Sequence, residues 1–325
     1  MAVITMVQAI TAALRERLAA DESVVVYGED VGFEGGVFRA TEGLQRDFSE
    51  ERVFDTPLAE SAIVGTALGM CCAGLRPVVE IQFSGFVYPA FNQIISHVSR
   101  FRNRTRGRYP VALVVRMPYG GGVNALEHHS ESMEALFAHI PGLQVVIPST
   151  PHDAKGLLTA AIESDDPVIF MEPKRLYRAV KQEVPDGRVS IPLGRGKVLA
   201  GGTDITVVAY GAMMRQVLQA AALAKKDGVS PEIIDLRSIY PVDRDLIAES
   251  VKKTGRVLVV TEGPATCGVG SEIVSTAVEE AFLRLEAPPT RLGGFDTVIP
   301  LPQGEHYYQH EPERIYYEMK KLTEY

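Results

Sequence analysis

The sequence has little of what marks nucleic-acid-binding, membrane or disulfide-rich proteins. Its 33 Lys and Arg residues are outnumbered by 41 Asp and Glu residues, and the net charge of -8 argues against nucleic acid as a ligand. The longest apolar run, 62–75, falls short of the roughly 20 residues that a membrane-spanning helix needs, so we expect a buried helix there. Three cysteines cannot form a disulfide framework. We therefore expect a globular protein that binds neither nucleic acid nor a membrane.

Signals for targeting and for several enzyme classes are also missing. The chain opens in a helical pattern, without a basic start before an apolar core and without an Arg-rich transit segment, so we expect a cytoplasmic location. It has neither a Walker A loop nor a Gly-x-Ser-x-Gly nucleophile elbow. One basic run, 100–108, has Arg at every second position. In so acidic a chain we expect this run to pair with another subunit or to lie in a solvated loop.

What the sequence does contain is an alternation of short β-branched runs with longer segments of helical period, which is typical of α/β proteins. In the first half these runs are almost continuously hydrophobic, which predicts parallel strands covered on both faces. The predicted strands are 24–27, 77–83, 111–117, 144–147 and 168–171. A first helix is predicted to follow Thr5 as its N-cap.

A second alternating block follows a break in the pattern. Residues 173–202 are rich in charge, Pro and Gly without a sustained period, which predicts an interdomain connection. Beyond it we predict strands at 205–210, 232–236, 257–260 and 290–292, and helices near 213–226, 243–253, 270–284 and 312–323. The sequence therefore predicts two doubly wound α/β domains, at residues 1–190 and 191–325. In such folds ligands bind outside the carboxyl ends of the strands.

Glu60 is the first candidate for chemistry, because it leads directly into the apolar run. Partial desolvation there would raise the pKa of its carboxyl group and let it share a proton with a ring nitrogen near neutral pH. The alternative is a glutamate stabilised by the amides and dipole of a helix N-terminus. Gly65, Gly69 and Ala73 recur every four residues in the same run, which predicts a helix face that another helix can approach closely.

The segment that starts at Glu60 resembles the motif of pyrimidine-binding domains in thiamine-diphosphate enzymes. That motif is Glu, four residues, Gly, an apolar residue, two residues, Gly and an apolar residue, and Thr66 replaces the first apolar residue here. Further segments, in order along the chain, resemble the beta subunit of the decarboxylating component of 2-oxo acid dehydrogenase complexes. They include Gly-Glu-Asp-Val at 28–31, Arg-Val-Phe-Asp-Thr-Pro-Leu at 52–58, His-His-Ser-Glu-Ser at 128–132 and Val-Ile-Pro-Ser-Thr-Pro at 146–151.

The resemblance covers essentially the whole chain. It implies a pyrimidine-binding domain followed by a transketolase C-terminal-like domain, with thiamine diphosphate as the cofactor. By analogy Glu60 hydrogen-bonds the aminopyrimidine ring, and Phe86 packs on that ring. Leu58 and Gln82 are expected to line the same pocket.

His129 aligns with the active-site histidine of the family, which assists acyl transfer to the lipoyl group. Its neighbour His128 is expected to point outward, because adjacent residues cannot both face one pocket. The glycines 120–122 precede this pair and predict a backbone that approaches a ligand or a partner chain closely. Family members also hold a structural potassium ion on backbone carbonyls, which correspond here to Leu113, Ala161, Ile162, Ser164 and Asp166, with Ser164 replacing an expected Asp.

One motif of thiamine-diphosphate enzymes is absent: the Gly-Asp-Gly and Asn-Asn pair that binds Mg2+ and the diphosphate. The resemblance therefore implies half an active site. An alpha subunit would supply the Mg2+ and diphosphate half in an α2β2 heterotetramer, and a lipoyl acyltransferase component would receive the acyl group.

The substrate is expected to be a small 2-oxo acid, oxidatively decarboxylated. Segments 127–132 and 172–177 look closer to branched-chain enzymes, so a branched-chain 2-oxo acid is our first expectation. Pyruvate is the alternative, because 182–185 and 146–170 look equally like pyruvate enzymes.

Two other classes of function are weaker. Gly268-Val269-Gly270 after a predicted strand suggests an NAD-dependent dehydrogenase, but Ile273 occupies the third glycine position of that fingerprint. A non-catalytic scaffold subunit is the other alternative, although a scaffold has no need of an ionisable Glu60 and His129.

Overall fold

The computed structural model describes all residues, 1–325, and divides the chain into two compact units. The first unit contains Met1–Tyr119 and Leu136–Leu193, and the second contains Gly120–Ala135 and Gly194–Tyr325. The segment that carries His129 therefore belongs to the second unit, although strands of the first unit precede and follow it in the chain.

The first unit is built on a parallel sheet. Its strands are β2 Val24–Gly28, β3 Val53–Asp55, β4 Arg76–Glu80, β5 Val114–Tyr119, β6 Gln144–Val146 and β7 Val168–Pro173. Within this unit they lie side by side in the order β6-β7-β5-β4-β2-β3. Every residue of β2, β5 and β7 is buried, as expected for parallel strands covered on both faces by helices. Outside the sheet, β1 Ala2–Thr5 pairs antiparallel with β8 Lys181–Val184.

The helices of this part of the chain are mostly short. They are α1 Met6–Ala20, α2 Leu44–Phe48, α3 Glu60–Cys72, α4 Tyr88–Gln93, α5 Ser99–Arg104, α6 Glu134–Ala138 and α7 Pro151–Glu163, with a π turn at Ile94–Val98 and 3-10 turns at Ser84–Phe86, Glu127–His129 and Lys174–Leu176. The predicted cap of α1 is confirmed: the side chains of Thr5 and Gln8 form a reciprocal capping box. Helix α1 packs against α7, and α3 packs against α4.

Helix α3 is the expected apolar helix of run 62–75, but the prediction that it is buried is only half right. Ile63, Val64 and Ala67 face the core, whereas Ala62 and Gly69 are exposed. A side chain added at Gly69 would meet no atom of this chain within 4 Å. Ala62 and Gly69 thus lie on an open part of the helix surface, whereas a Cβ atom at Gly65 would lie 3.5 Å from the side chain of Gln93 in α4.

The second unit has its own sheet. The strands of this unit are β9 Lys197–Ala200, β10 Ile205–Ala209, β11 Pro231–Asp235, β12 Ser238–Tyr240, β13 Val257–Pro264 and β14 Thr290–Gly294, and all of them except β12 belong to this sheet. The sheet order is β14-β13-β10-β11-β9, parallel except for β9 at one edge. The helices are α8 Met213–Lys226, α9 Arg244–Thr254, α10 Val269–Ala281, α11 Glu305–Tyr308 and α12 Pro312–Thr323, with a 3-10 turn at Phe282–Arg284.

The prediction of two α/β domains with helix-covered parallel sheets is confirmed. One local prediction is wrong: residues 173–202 are not a plain connection, because they contain β8 and β9. Most residues of β8 are exposed and polar, so the strand has no apolar period to reveal it. None of the helices combines the length and the apolar character that crossing a bilayer requires.

Candidate functional site

Three neighbouring strands of the first sheet end at the same edge. Gly28 at the end of β2 pairs with Asp55 of β3 on one side and with Glu80 of β4 on the other. The segments that follow these strands therefore meet there, since carboxyl ends of parallel strands share an edge. These segments carry the predicted cofactor residues Leu58, Glu60, Gln82 and Phe86.

Glu60 is the first residue of α3, and its side chain is buried. The residue before it, Ala59, has no side chain that could cap the helix, so the first amides of α3 lack a capping partner. A carboxylate at this position is favoured by those amides and by the helix dipole. Glu60 is thus both buried and placed at the N-terminus of a helix.

Glu29 is a second buried carboxyl group at this edge, and sequence reasoning did not single it out. It follows β2 directly, and its Oε1 atom is buried without a hydrogen-bond partner in this chain. Burial and the neighbouring carboxylates of Glu60 and Asp30 together raise the pKa of Glu29. A buried carboxyl oxygen that lacks a donor is suited to a ligand that brings one. The only signal in the sequence was the segment Gly-Glu-Asp-Val after a predicted strand.

The other predicted residues supply a polar contact, an aromatic ring and an apolar side chain. Gln82 donates from Nε2 to Oδ2 of Asp30 at 2.8 Å. The ring of Phe86 lies edge-on to Phe83, with the ring centroids 5.4 Å apart. Leu58 is 80% exposed, which is unusual for leucine. A half-buried ring and an exposed apolar side chain at the same strand-end edge as a pair of carboxyl groups suit a flat, partly polar heterocycle.

A buried ionic cluster lies in the same sheet. Arg116 of β5 donates to Glu80 of β4 at 2.9 Å and to Glu172 of β7 at 2.7 and 3.1 Å. Their side chains are 1%, 3% and 0% exposed. Burial raises the pKa of Glu80, and the Arg116 guanidinium opposes that rise. Tyr177 donates its hydroxyl to Glu172, and its ring packs on Phe38 with centroids 5.1 Å apart.

Phe38 connects this cluster to the cofactor residues. Its ring packs edge-on against Phe83 at 5.4 Å, and Phe83 in turn contacts Phe86. The aromatic side chains therefore run without a break from Tyr177 to the ring expected to face the cofactor.

His129 belongs to the second unit, in the single turn Glu127–His129. His128 is exposed and His129 is half-buried, in line with the expected outward position of His128. The preceding glycines do approach other groups closely, but these groups are neither a ligand nor a partner chain. They are the carboxylates of Glu262 and Glu305 in the same unit.

The carbonyl groups expected to hold potassium lie around the end of α7 and beside the start of β5. Arg76 donates to the carbonyl oxygens of Ile162 at 3.2 Å and of Ser164 at 3.0 Å. The carbonyl of Asp166 accepts from the Ser164 hydroxyl at 3.1 Å. The Arg76 guanidinium thus already binds two of the expected carbonyls, and the potassium site stays a prediction. No cluster of three or more His, Cys, Asp or Glu side chains is arranged to hold a metal ion.

Family models match both parts of the chain. Residues 2–180 match the transketolase pyrimidine-binding domain, and residues 194–315 match the transketolase C-terminal domain. The first of these matches implies binding of thiamine diphosphate.

Relatives of similar length share about half of their residues with this chain. The "Pyruvate dehydrogenase E1 component subunit beta" of Acholeplasma laidlawii is 54% identical over 323 residues, covering 99% of both chains. The protein of the same name from Bacillus subtilis is 49% identical over 325 residues, covering 100% of both. A solved structure described as a split-gene transketolase in an inactive beta4 tetramer aligns with a TM-score of 0.80 over 99% of both chains. At 24% identity, that structure supports the fold alone.

Proposed function

The chain belongs to the family of beta subunits of the decarboxylating (E1) component of 2-oxo acid dehydrogenase complexes, and on that premise we propose that it acts on pyruvate. With an alpha subunit it would decarboxylate pyruvate oxidatively and transfer the acetyl group to a lipoyl domain. The relatives that are about half identical carry the name pyruvate dehydrogenase, which supports this substrate. The branched-chain substrate expected from segments 127–132 and 172–177 finds no support in them.

The observation that carries the catalytic proposal is the pair of interacting, buried carboxyl groups, Glu60 and Glu29, at the strand-end edge of the first sheet. These residues fit an aminopyrimidine ring, because a buried carboxyl oxygen without a donor and a half-buried aromatic ring both follow strands that end at the same edge of the sheet. Thiamine diphosphate, when bound, supplies the carbon nucleophile and the electron sink that decarboxylation of a 2-oxo acid requires.

The proposed roles of the residues follow from their surroundings. Glu60 shares a proton with a nitrogen of the pyrimidine ring, at the end of a helix whose amides favour its negative charge. Glu29 holds a proton more readily than an ordinary glutamate, because its pKa is raised, so the pair avoids carrying two full negative charges. Phe86 and Leu58 exclude water from the ring. His129 moves a proton during acyl transfer to the lipoyl group.

An alpha partner is proposed to complete the site and to hold most of the Mg2+ coordination. The sequence lacks the diphosphate motif, and the exposed face of α3, with Ala62 and Gly69, allows close approach of another helix. The exposed Leu58 at the same strand-end edge would be covered by such a partner. We therefore propose an α2β2 heterotetramer that delivers its product to a lipoyl acyltransferase component.

The test is to co-express this chain with its candidate alpha subunit and to add thiamine diphosphate and Mg2+. Dye-coupled decarboxylation is then compared between pyruvate and 3-methyl-2-oxobutanoate. We expect a clear preference for pyruvate. A preference for the branched acid would restore the first expectation from the sequence, and no turnover of either acid by an assembled heterotetramer would refute the proposed reaction.

The weaker alternatives have their own tests. An NAD-dependent dehydrogenase would require the isolated chain to bind NAD tightly, although residues 194–315 match a transketolase domain instead. A scaffold subunit would require full activity after Glu60→Gln and His129→Ala are combined.

A further inference from the structure

We propose that Glu262 and Glu305 are positioning residues for His129, which they hold through the backbone of the loop 120–131. The inference rests on the role proposed above for His129. Both carboxylates belong to the same compact unit as that histidine. Glu262 lies near the end of β13, and Glu305 is the first residue of α11.

The contacts run from carboxylate oxygens to backbone amides. Oε1 of Glu262 accepts from the N–H of Gly121 at 2.7 Å. Glu305 accepts from two amides: its Oε2 receives the N–H of Asn124 at 2.8 Å, and its Oε1 receives the N–H of Gly122. Three amides within four consecutive residues are therefore held by two side chains that are distant in the sequence. Hydrogen bonds to a carboxylate are stronger than those between neutral groups.

Burial makes these bonds hard to replace. The side chain of Glu305 is 1% exposed, and that of Glu262 is also buried. If the loop shifted without admitting water, the carboxylate of Glu305 would lose two donors while still buried, which is costly for a charge. The loop and the carboxylates thus stabilise each other.

The glycines of the loop allow the carboxylates to approach its backbone closely. A Cβ atom at Gly121 would lie 2.6 Å from an oxygen of Glu305, and one at Gly120 would lie 2.9 Å from Glu262. Gly120 and Gly122 also have φ values of +81° and +83°, which favour glycine. The close approach of the carboxylates explains Gly120 and Gly121, and the positive φ explains Gly122.

Further backbone hydrogen bonds connect the restrained amides to the turn that carries His129. Its base is closed by a hydrogen bond from the N–H of Gly120 to the carbonyl of Glu131 at 3.0 Å. The turn that carries His129 is fixed by its own N–H, which donates to Leu126 at 3.0 Å. With the base of the loop closed and the amides of Gly121, Gly122 and Asn124 bonded, the backbone that carries His129 is restrained.

The experiment uses the assembled α2β2 holoenzyme with Glu305→Gln, which keeps the size of the side chain but removes its charge and one acceptor oxygen. Glu313→Gln, at an exposed position in the first turn of α12, is the matched control. Hydrogen exchange is followed at Gly122 and Asn124, and lipoyl acylation is compared with dye-coupled decarboxylation. A second variant, Glu262→Gln, repeats the test at Gly121 should Glu305→Gln fail to assemble.

We expect Glu305→Gln to speed amide exchange in the loop about tenfold without changing exchange in the sheet. We expect lipoyl acylation to fall about tenfold or more, and decarboxylation to fall much less. In the double variant with His129→Ala, the loss of acylation should not exceed that of His129→Ala alone, since both changes act through one side chain. The control should leave all of these values unchanged.

Unchanged loop exchange would overturn the proposal, as would losses of acylation that multiply in the double variant. Another result would refute the proposed role of His129 but not the ordering of the loop by Glu262 and Glu305. If His129→Ala leaves acylation intact while Glu305→Gln still loosens the loop, the carboxylates order the loop but His129 has no part in acyl transfer.

Discussion

Replacing the buried Arg116 with Met should destabilise the first unit strongly. The change removes the only cation that bonds to both Glu80 and Glu172, and these carboxylates are 3% and 0% exposed. Breaking a buried ion pair by removing one partner costs about 3–5 kcal/mol, because the remaining charge stays buried without compensation. For a domain of this size, each kcal/mol lowers the melting temperature by about 2–4 °C. The expected drop is therefore about 6–20 °C.

The pH dependence of this drop has a definite sign. Burial already raises the pKa of Glu80 above its ordinary value of 4.5, and removing Arg116 should raise it further. A carboxyl group whose pKa is raised on folding lowers stability at pH values above that pKa, and the cost vanishes as the pH falls toward the unfolded value. The destabilisation by Arg116→Met should thus be larger at about pH 8 than at about pH 5.

Thermal unfolding of the purified protein at both pH values measures this effect. Arg104→Met, at an exposed position, is the matched control and should change the melting temperature little. Adding Glu80→Gln and Glu172→Gln to Arg116→Met should recover much of the loss, since no buried charge remains. A drop of less than about 2 °C, or an equal drop at both pH values, would refute the reasoning.

Three further predictions concern the candidate site and the expected ion. His129→Ala should reduce lipoyl acylation more than decarboxylation when the two half-reactions are measured separately, and equal losses would indicate a merely structural role. Glu29→Gln should stabilise the protein more at about pH 8 than at about pH 4, because it removes a carboxyl group with a raised pKa. Thermal melts at the two pH values measure this difference, and an equal effect at both pH values would show that the pKa is not raised. Potassium chloride should raise the melting temperature above that in choline chloride of equal ionic strength if the carbonyls around Ile162 and Ser164 bind the ion; equal melting temperatures would remove the site.

The elements that could be predicted from the sequence are those with a local signal. The core strands are rich in β-branched and other apolar residues, and the cap of α1 needs only Thr5 and Gln8, three residues apart. Strand β8 could not be predicted, because its polar residues form a strand by pairing with β1. That partner lies near the start of the chain, far from β8 in the sequence. Such a strand exists only because of a partner that no local window contains.

In the candidate site, too, the residues with a local signal could be predicted and those defined by long-range contacts could not. Glu60 could be proposed because it lies directly before an apolar run, and its role came from the resemblance of the motif that follows. Arg116 stood out in no pattern, since its partners Glu80 and Glu172 are 36 and 56 residues away. The glycines at 120–122 did predict a close approach, but Glu262 is 141 residues from the amide that it binds. The fold determines which charged residues pair over long distances in the sequence, so the spacing of residues does not predict these pairs.

The most direct test of the account is Glu60→Gln in the assembled heterotetramer with thiamine diphosphate and Mg2+. Glutamine has the shape of glutamate but cannot take up or release the proton, so pyruvate decarboxylation should fall by about 100-fold or more. Assembly and melting temperature should stay close to those of the unaltered protein, and Glu42→Gln, at an exposed position, should leave turnover unchanged. Near-normal turnover by the Glu60→Gln enzyme would contradict the account, because no other residue here is assigned its role.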